Sequence, residues 1–130
     1  FDAVRILAHA TGNASFATLP DNRRTFYLGL SNVLRQPEFA RDPMRASQVV
    51  EVLEDTDHFV KILQQLDLHD ETRIFIGKEN ILPQIQSCAM VVSPYRVGNF
   101  EGFFGLLGPT RMRYPFNHTM VSKVRELVEA

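Results

Sequence analysis

The sequence holds one cysteine, no tryptophan and only three lysines among its 130 residues. A lone Cys88 excludes an internal disulfide, and its apolar neighbours Ala89, Met90, Val91 and Val92 favour a reducing, cytoplasmic setting. Seven glycines and seven prolines are too few for a low-complexity or disordered chain. No apolar run approaches the roughly 20 residues of a membrane helix. The opening Phe1-Asp2-Ala3-Val4-Arg5 carries acid where a secretory signal carries base. Positive charge is not in surplus either: 14 basic against 15 acidic residues leave a net charge of -1, without the basic footprint of a chain that grips nucleic acid or an anionic membrane. What remains is a soluble globular composition, 45% hydrophobic and 22% charged, long enough to bury about two thirds of its unfolded surface. The chain lacks a starting Met and opens inside a helical pattern, which reads as a piece whose N-terminal part lies elsewhere.

Phe1, Val4, Leu7 and Ala8 fall at helical spacing before the stop Gly12-Asn13. Ser15 to Leu19 and Thr25 to Leu28 read as short strands joined through the turn Pro20-Asp21-Asn22, a candidate hairpin. Leu30, Val33 and Leu34 give a short helix before Pro37. Asp42-Pro43 is an N-cap with proline at the first helical position. The apolar stripes Val49-Val50-Leu53 and Phe59-Ile62-Leu63-Leu66 follow, either on two helices or on one broken at Asp55, where Asp55-Thr56-Asp57 offers a new cap. Arg73 to Gly77 is a strand, and Glu79 to Ile85 a polar stretch with one helical turn interrupted by Pro83. Ser87 to Ser93 is a buried strand, and the turn Gly98-Asn99 leads into Glu101 to Gly108, making 88–107 a long hairpin. Pro115 opens a last helix faced by Phe116, Met120, Val124, Leu127 and Val128. This order does not alternate as a parallel array would, so the expected class is α+β: one domain over 1–130, its antiparallel sheet flanked by helices.

Little in the chain carries chemistry by itself. Gly98, Gly102, Gly105 and Gly108 lack the lysine or the helix start of a phosphate loop, and read as turn and close-packing glycines. His9, His58, His69 and His118 have no ligand spacing, so no metal is expected. Cys88 has no basic surrounding to activate it. The pairs Arg23-Arg24 and Arg111/Arg113 suit ion pairing better than phosphate contact. No cofactor or catalytic residue is assigned.

Three runs nevertheless resemble one family, the bacterial heat-inducible transcription repressors called HrcA. They are Tyr27-Leu28-Gly29-Leu30-Ser31-Asn32-Val33-Leu34-Arg35-Gln36-Pro37-Glu38-Phe39; Ile74-Phe75-Ile76-Gly77-Lys78-Glu79-Asn80, followed by Ser87-Cys88-Ala89; and Gly102-Phe103-Phe104-Gly105-Leu106-Leu107-Gly108-Pro109-Thr110-Arg111-Met112-Arg113-Tyr114. The resemblance implies a GAF-like C-terminal regulatory domain that supports a homodimer. It also implies a chaperonin partner and an operator read by an N-terminal winged-helix domain absent from this sequence. Family members carry a dimerising insertion where this chain has only residues 13–24. Within the matched runs, Gly77, Glu79, Asn80, Gly108, Pro109, Arg111 and Tyr114 are the candidate residues, either for ligand or partner contact or for fixing the fold. Arg111 before the last helix needs a carboxylate, and Glu79, also beside a strand end, is the expected partner.

Two other functions compete. A small-molecule sensor would hold its ligand between sheet and helices, and Glu79 or Arg111 pointing into an apolar pocket would mark it. A GAF-fold sulfoxide reductase would work through Cys88, which has no resolving partner. For self-association the candidates are the segment around Phe100, Phe103 and Phe104, or the helices at 44–66.

Overall fold

The computed structural model describes residues 2–18, 25–80 and 82–129. Phe1, Leu19, the Pro20-Asp21-Asn22 turn and the Arg23-Arg24 pair lie outside the described residues. Helix α1 (Asp2–Thr11) buries Val4, Leu7 and Ala8. Strands β1 (Ala14–Thr18) and β2 (Thr25–Leu28) pair antiparallel, as expected of the hairpin. Two short helices, α2 (Leu30–Leu34) and α3 (Pro37–Ala40), lead to α4 (Pro43–Glu54). There Asp42 Oδ1 accepts the Arg45 amide at 3.3 Å, the cap that Asp42-Pro43 announced.

The helical stretch does break at Asp55, and α5 runs over Thr56–Gln65, although the Asp55 side chain makes no cap bond. The stripe of α4 turns on Val49, Val52 and Leu53, with Val50 only half-buried. Strand β3 (Arg73–Ile76) is followed by two 3₁₀ turns, Gly77–Glu79 and Pro83–Ile85. Pro83 therefore opens a turn rather than interrupting one, because its fixed φ suits a first helical position.

Strands β4 (Cys88–Val97) and β5 (Phe100–Pro109) form a longer hairpin than 88–107, with Pro94 inside β4 opposite Phe103. The proline is tolerated there for a geometric reason. The Phe103 amide donates to Thr18 Oγ1 on β1 (2.9 Å), so Pro94 is owed no hydrogen bond by β5. On its other flank β3 has already ended, its register stopping at Val92. Helix α6 (Tyr114–Glu129) buries Asn117, Val121 and Val124, with Met120 and Val128 packed beside them; of the predicted face Val124, Met120 and Val128 meet the core, while Phe116 and Leu127 are exposed.

The sheet order is β2-β1-β5-β4-β3, antiparallel throughout, which is the expected α+β class, an antiparallel sheet flanked by helices, here on both faces. One face buries Phe16, Val33, Phe39, Val49, Phe59 and Leu63 beneath α2 to α5. The other buries Val4, Leu7, Val91, Phe104, Leu106 and Val121 beneath α1 and α6. Because both faces are covered, β4 reads as a continuous apolar run: Met90 and Val92 serve the first core, Ala89 and Val91 the second. Tyr95 ties β4 to β1 across β5, its hydroxyl donating to the Thr18 carbonyl at 2.6 Å.

At Gly105 the β5 backbone lies against β4 so closely that a Cβ would collide with the Val91 carbonyl. By contrast, Gly98 in the hairpin turn has a φ of +61° and open space around it. Gly105→Ala should therefore cost about 3 kcal/mol or more, and Gly98→Ala only the left-handed penalty of about 1–2 kcal/mol. Denaturant midpoints of the two variants check this; equal losses would contradict it.

Candidate functional site

The candidate residues come from two distant runs, yet they converge. Register places Ile76 opposite Ala89, and Ala89 opposite Gly108, in one row across β3, β4 and β5. Gly77, Glu79 and Asn80 leave the sheet at one side of this row, and Pro109, Arg111 and Tyr114 at the other. The Gln36-Pro37-Glu38-Phe39 run arrives from a third direction.

Each candidate side chain has a local task. Gly77 turns the chain with a φ of +59°. Asn80 is buried, and its Nδ2 faces four carbonyls: Gly77 (3.0 Å), Cys88 (3.1 Å), Ile85 (3.3 Å) and Phe75 (3.4 Å). One amide thus ties the end of β3, both 3₁₀ turns and the start of β4. Glu79 Oε1 accepts the Ile76 amide at 2.7 Å, occupying a donor on an edge strand that would otherwise invite another strand. Gly108 leaves room for the Asn13 side chain, which a Cβ would strike. Pro109 closes β5, and Met112 Sδ below it accepts from buried Asn117 Nδ2 at 3.1 Å. The Tyr114 hydroxyl donates to the Thr110 carbonyl. Burial first, then the nearby Glu79 carboxylate, raises this hydroxyl above the usual tyrosine value.

Arg111 is not paired with Glu79. It makes a bidentate contact with Glu38, Nε to Oε2 at 2.7 Å and Nη2 to Oε1 at 3.2 Å, and donates also to Gln36 Oε1. Glu79 is unavailable because its carboxylate is turned back on the Ile76 amide. Gln36 and Glu38 stood in the resembling run, but no spacing in the sequence says that residues 73 and more positions apart will meet. The Arg111 guanidinium holds the Glu38 carboxyl below the usual glutamate range.

A second polar cluster lies along α6, away from this row. Arg125 donates to the Asp70 carbonyl (2.7 Å) and carboxylate (2.5 Å) and to Glu129 (3.2 Å), while His118 and Ser122 meet Thr72. It clamps a turn in which His69 and Asp70 both take positive φ.

An apolar cleft of about 360 Å³ opens at the opposite end of the sheet, between α1, the β4–β5 hairpin and α6. Its walls include Ala3, Val4, Tyr95, Val97, Phe100 and Val128, and neither Glu79 nor Arg111. On the α2–α5 face the void beside Asn80 is only about 10 Å³, room for at most a water. Cys88 is fully buried and its thiol is pushed up to about 11 by burial, the adjacent Ser87 hydroxyl at 3.9 Å notwithstanding. Among the described residues no three of His, Cys, Asp and Glu gather as metal ligands, and no helix is long and apolar enough to cross a membrane.

A family model described as the HrcA protein C terminal domain matches residues 5–116. That span contains all three runs and every candidate residue. The chain belongs to the HrcA family. The heat-inducible transcription repressor HrcA of Geobacter sulfurreducens is 33% identical over 111 residues, covering 85% of this chain and 32% of the relative. That of Desulforamulus reducens is 40% identical over 87 residues, covering 66% and 25%. The chain thus spans about a third or less of the length of these HrcA relatives. A solved structure described only as a hypothetical protein superposes with a TM-score of 0.82 over 99% of this chain and 67% of its own, at 13% identity, and so supports the fold. HrcA is a repressor family, not an enzyme family, and its relatives' names concern heat-inducible transcription repression.

Two outcomes follow for the site. Arg111 is more than half exposed, so Arg111→Ala should cost at most about 1 kcal/mol. Since the folded Glu38 value is lowered, that difference should be complete above the ordinary glutamate range, near pH ~4.3, and vanish as pH falls through the lowered folded value. Urea titrations of both proteins at several pH values would show it, and a gap that widens in acid would refute it. Cys88 should react with a thiol reagent only at the rate of unfolding; rapid labelling of the native chain would mean that its burial is misjudged.

Proposed function

We propose that residues 1–130 form the C-terminal regulatory and assembly domain of a cytoplasmic heat-shock repressor. In this reading the domain supports a homodimer and responds to a chaperonin, while operator DNA is read by another part of the protein. The observation that carries the reading is the family match over residues 5–116 to the C-terminal domain of a repressor. Charge agrees with it. An operator is held by many basic groups neutralising phosphate and read by side chains reaching base edges, and this chain has a net charge of -1.

The domain's contribution to repression is then geometric. An inverted repeat is read by a two-fold dimer, and a domain that pairs the copies fixes the half-site spacing. Gly77, Glu79, Asn80, Gly108, Pro109, Arg111 and Tyr114 serve this function by fixing the shape of one sheet end, of which Arg111, Lys78 and Glu79 remain exposed for a partner.

Removing this domain from the whole repressor should weaken binding to an inverted-repeat duplex, and the isolated chain should not bind that duplex specifically at physiological salt. Fluorescence titration of both proteins checks the pair of expectations. Tight sequence-specific binding by these 130 residues would overturn the assignment.

A further inference from the structure

The hollows on the surface of this fold are walled differently. That on α4 is rimmed by Glu51, Glu54 and Asp55. That beside α6 holds Asp70, Thr72, His118 and Arg125, several of whose polar atoms already bond one another. The 360 Å³ cleft between α1, the β4–β5 hairpin and α6 is of another kind. It is large enough for a small organic molecule, and the rings of Tyr95, Phe100 and Phe104 form part of its wall. Tyr95 stands edge-to-face with both phenylalanines, the centroids 5.7 Å apart and the planes at 66° and 77°, so these rings offer π faces in more than one direction. The Tyr95 hydroxyl is drawn away to the Thr18 carbonyl at 2.6 Å, which leaves its ring rather than its oxygen to the cleft.

Charge narrows the class of ligand. Among the described residues that line the cleft only Asp2 is charged. Its side chain is 91% exposed, and Arg5, which is not part of the wall, stands 3.8 Å from it, a loose ion pair. The arginines on the flanking elements are turned to carboxylates, Arg96 to Glu101 at 3.1 Å and Arg125 to Asp70 and Glu129. An anion would therefore meet a carboxylate at the mouth and no cation in the wall. A primary amine would bring N–H groups that apolar walls cannot satisfy. A fully alkylated ammonium has no N–H to satisfy, its apolar skin suits the walls, and its diffuse charge is attracted to ring faces.

We propose that the cleft binds one small organic cation per chain, a fully alkylated ammonium with an apolar body, its charge held by the rings of Tyr95, Phe100 and Phe104 and by Asp2 at the mouth. The ligand is a free molecule rather than a lipid head group, because a phosphate carried beside the ammonium would face Asp2. This adds a ligand to the assembly reading and does not depend on it.

Benzyltrimethylammonium is the probe, titrated into the chain and followed by NMR, with phenylpropanol and phenylpropionate as neutral and anionic counterparts of similar size. The cation should bind once per chain, its methyl protons shifted upfield by the rings, about 5-fold or more tightly than the alcohol, and the anion should bind least. Asp2→Asn should cut that preference about 2-fold or more without changing the affinity for the alcohol. Ala3→Phe, which fills the cleft from α1, should abolish binding of both, and Met44→Gln, at a 68% exposed position on α4, should change nothing. Because Asp2 is exposed, its variant keeps the test independent of any packing loss in Ala3→Phe. Equal binding of cation and alcohol, a preference for the anion, a preference undiminished in Asp2→Asn, or binding that survives in folded Ala3→Phe would overturn the proposal. So would displacement of the probe by phosphatidylcholine vesicles, which would make the ligand a lipid surface. None of these results alters the duplex titration, so failure of the cleft and failure of the repressor assignment are told apart.

Discussion

Strand β5 is the constraint on which the rest of the molecule depends. It comes last of the five strands in sequence and lies at the centre of the sheet, between β1 and β4. Neither half of the sheet reaches the other until residues 88–109 have folded back, and the β1–β5 pairing joins residues about ninety positions apart. Such non-local closure has to be reached before either core exists, because each face is roofed by helices from different parts of the chain. The glycine at 105 allows β4 to approach closely enough. Thr18 and Tyr95 then fasten β1 to both members of the hairpin, through the Phe103 amide and the Tyr95 hydroxyl.

Legibility in the sequence follows the same division between local and non-local. Helices were readable where a short-range signal fixes them: Asp42-Pro43 at the start of α4, the stripe Phe59-Leu63 in α5, the stop after α1. So was the β4–β5 hairpin, from its turn and the apolar run of β4. Faces were read less well. On α6 the apolar spacing found Met120, Val124 and Val128 but also favoured Phe116 and Leu127, where the sheet instead takes Asn117 and Val121; an asparagine that donates to Met112 can be core, and an apolar Leu127 need not be. Arg111 illustrates the limit more sharply. That a guanidinium there needs a carboxylate was evident from its chemistry. Which carboxylate is decided by where α3 lies against the β5–α6 connection, a relation among three elements that no local pattern encodes.

The runs that resemble the HrcA family are explained largely by this architecture. Asn80 shares the two protons of its amide among carbonyls from four segments, Glu79 occupies the open edge of β3, Gly108 admits Asn13, and Arg111 holds Gln36 and Glu38. A buried carbonyl left without a donor costs about 1–3 kcal/mol, so a single amide serving a whole sheet corner leaves little freedom at that position. Motif residues of this kind report a fold more directly than they report a ligand. Recognition of the family from them is consequently strong, while recognition of a site is not.

Sensing and assembly make different demands on such a sheet, and the two faces answer them differently. A sensor needs an enclosed recess with a few polar groups turned inward to select its ligand. Between the sheet and α2 to α5 that space is filled by Phe16, Phe59, Ile62 and Phe75. Asn80 Oδ1, one of the buried side-chain atoms without a partner among the described residues, faces a void of only about 10 Å³ there. Assembly needs apolar surface left over after folding, with charges at its margin rather than its centre. The opposite face leaves such surface where α1 and α6 fail to close over the β4–β5 hairpin. Two polar groups near it are committed, the Tyr95 hydroxyl to Thr18 and the Arg96 amide to Glu129, and Asp2 stands at its margin. The fold thus separates a packed polar end of the sheet, where Asn80, Glu79 and Arg111 hold the chain in place, from an open apolar end between α1, the β4–β5 hairpin and α6.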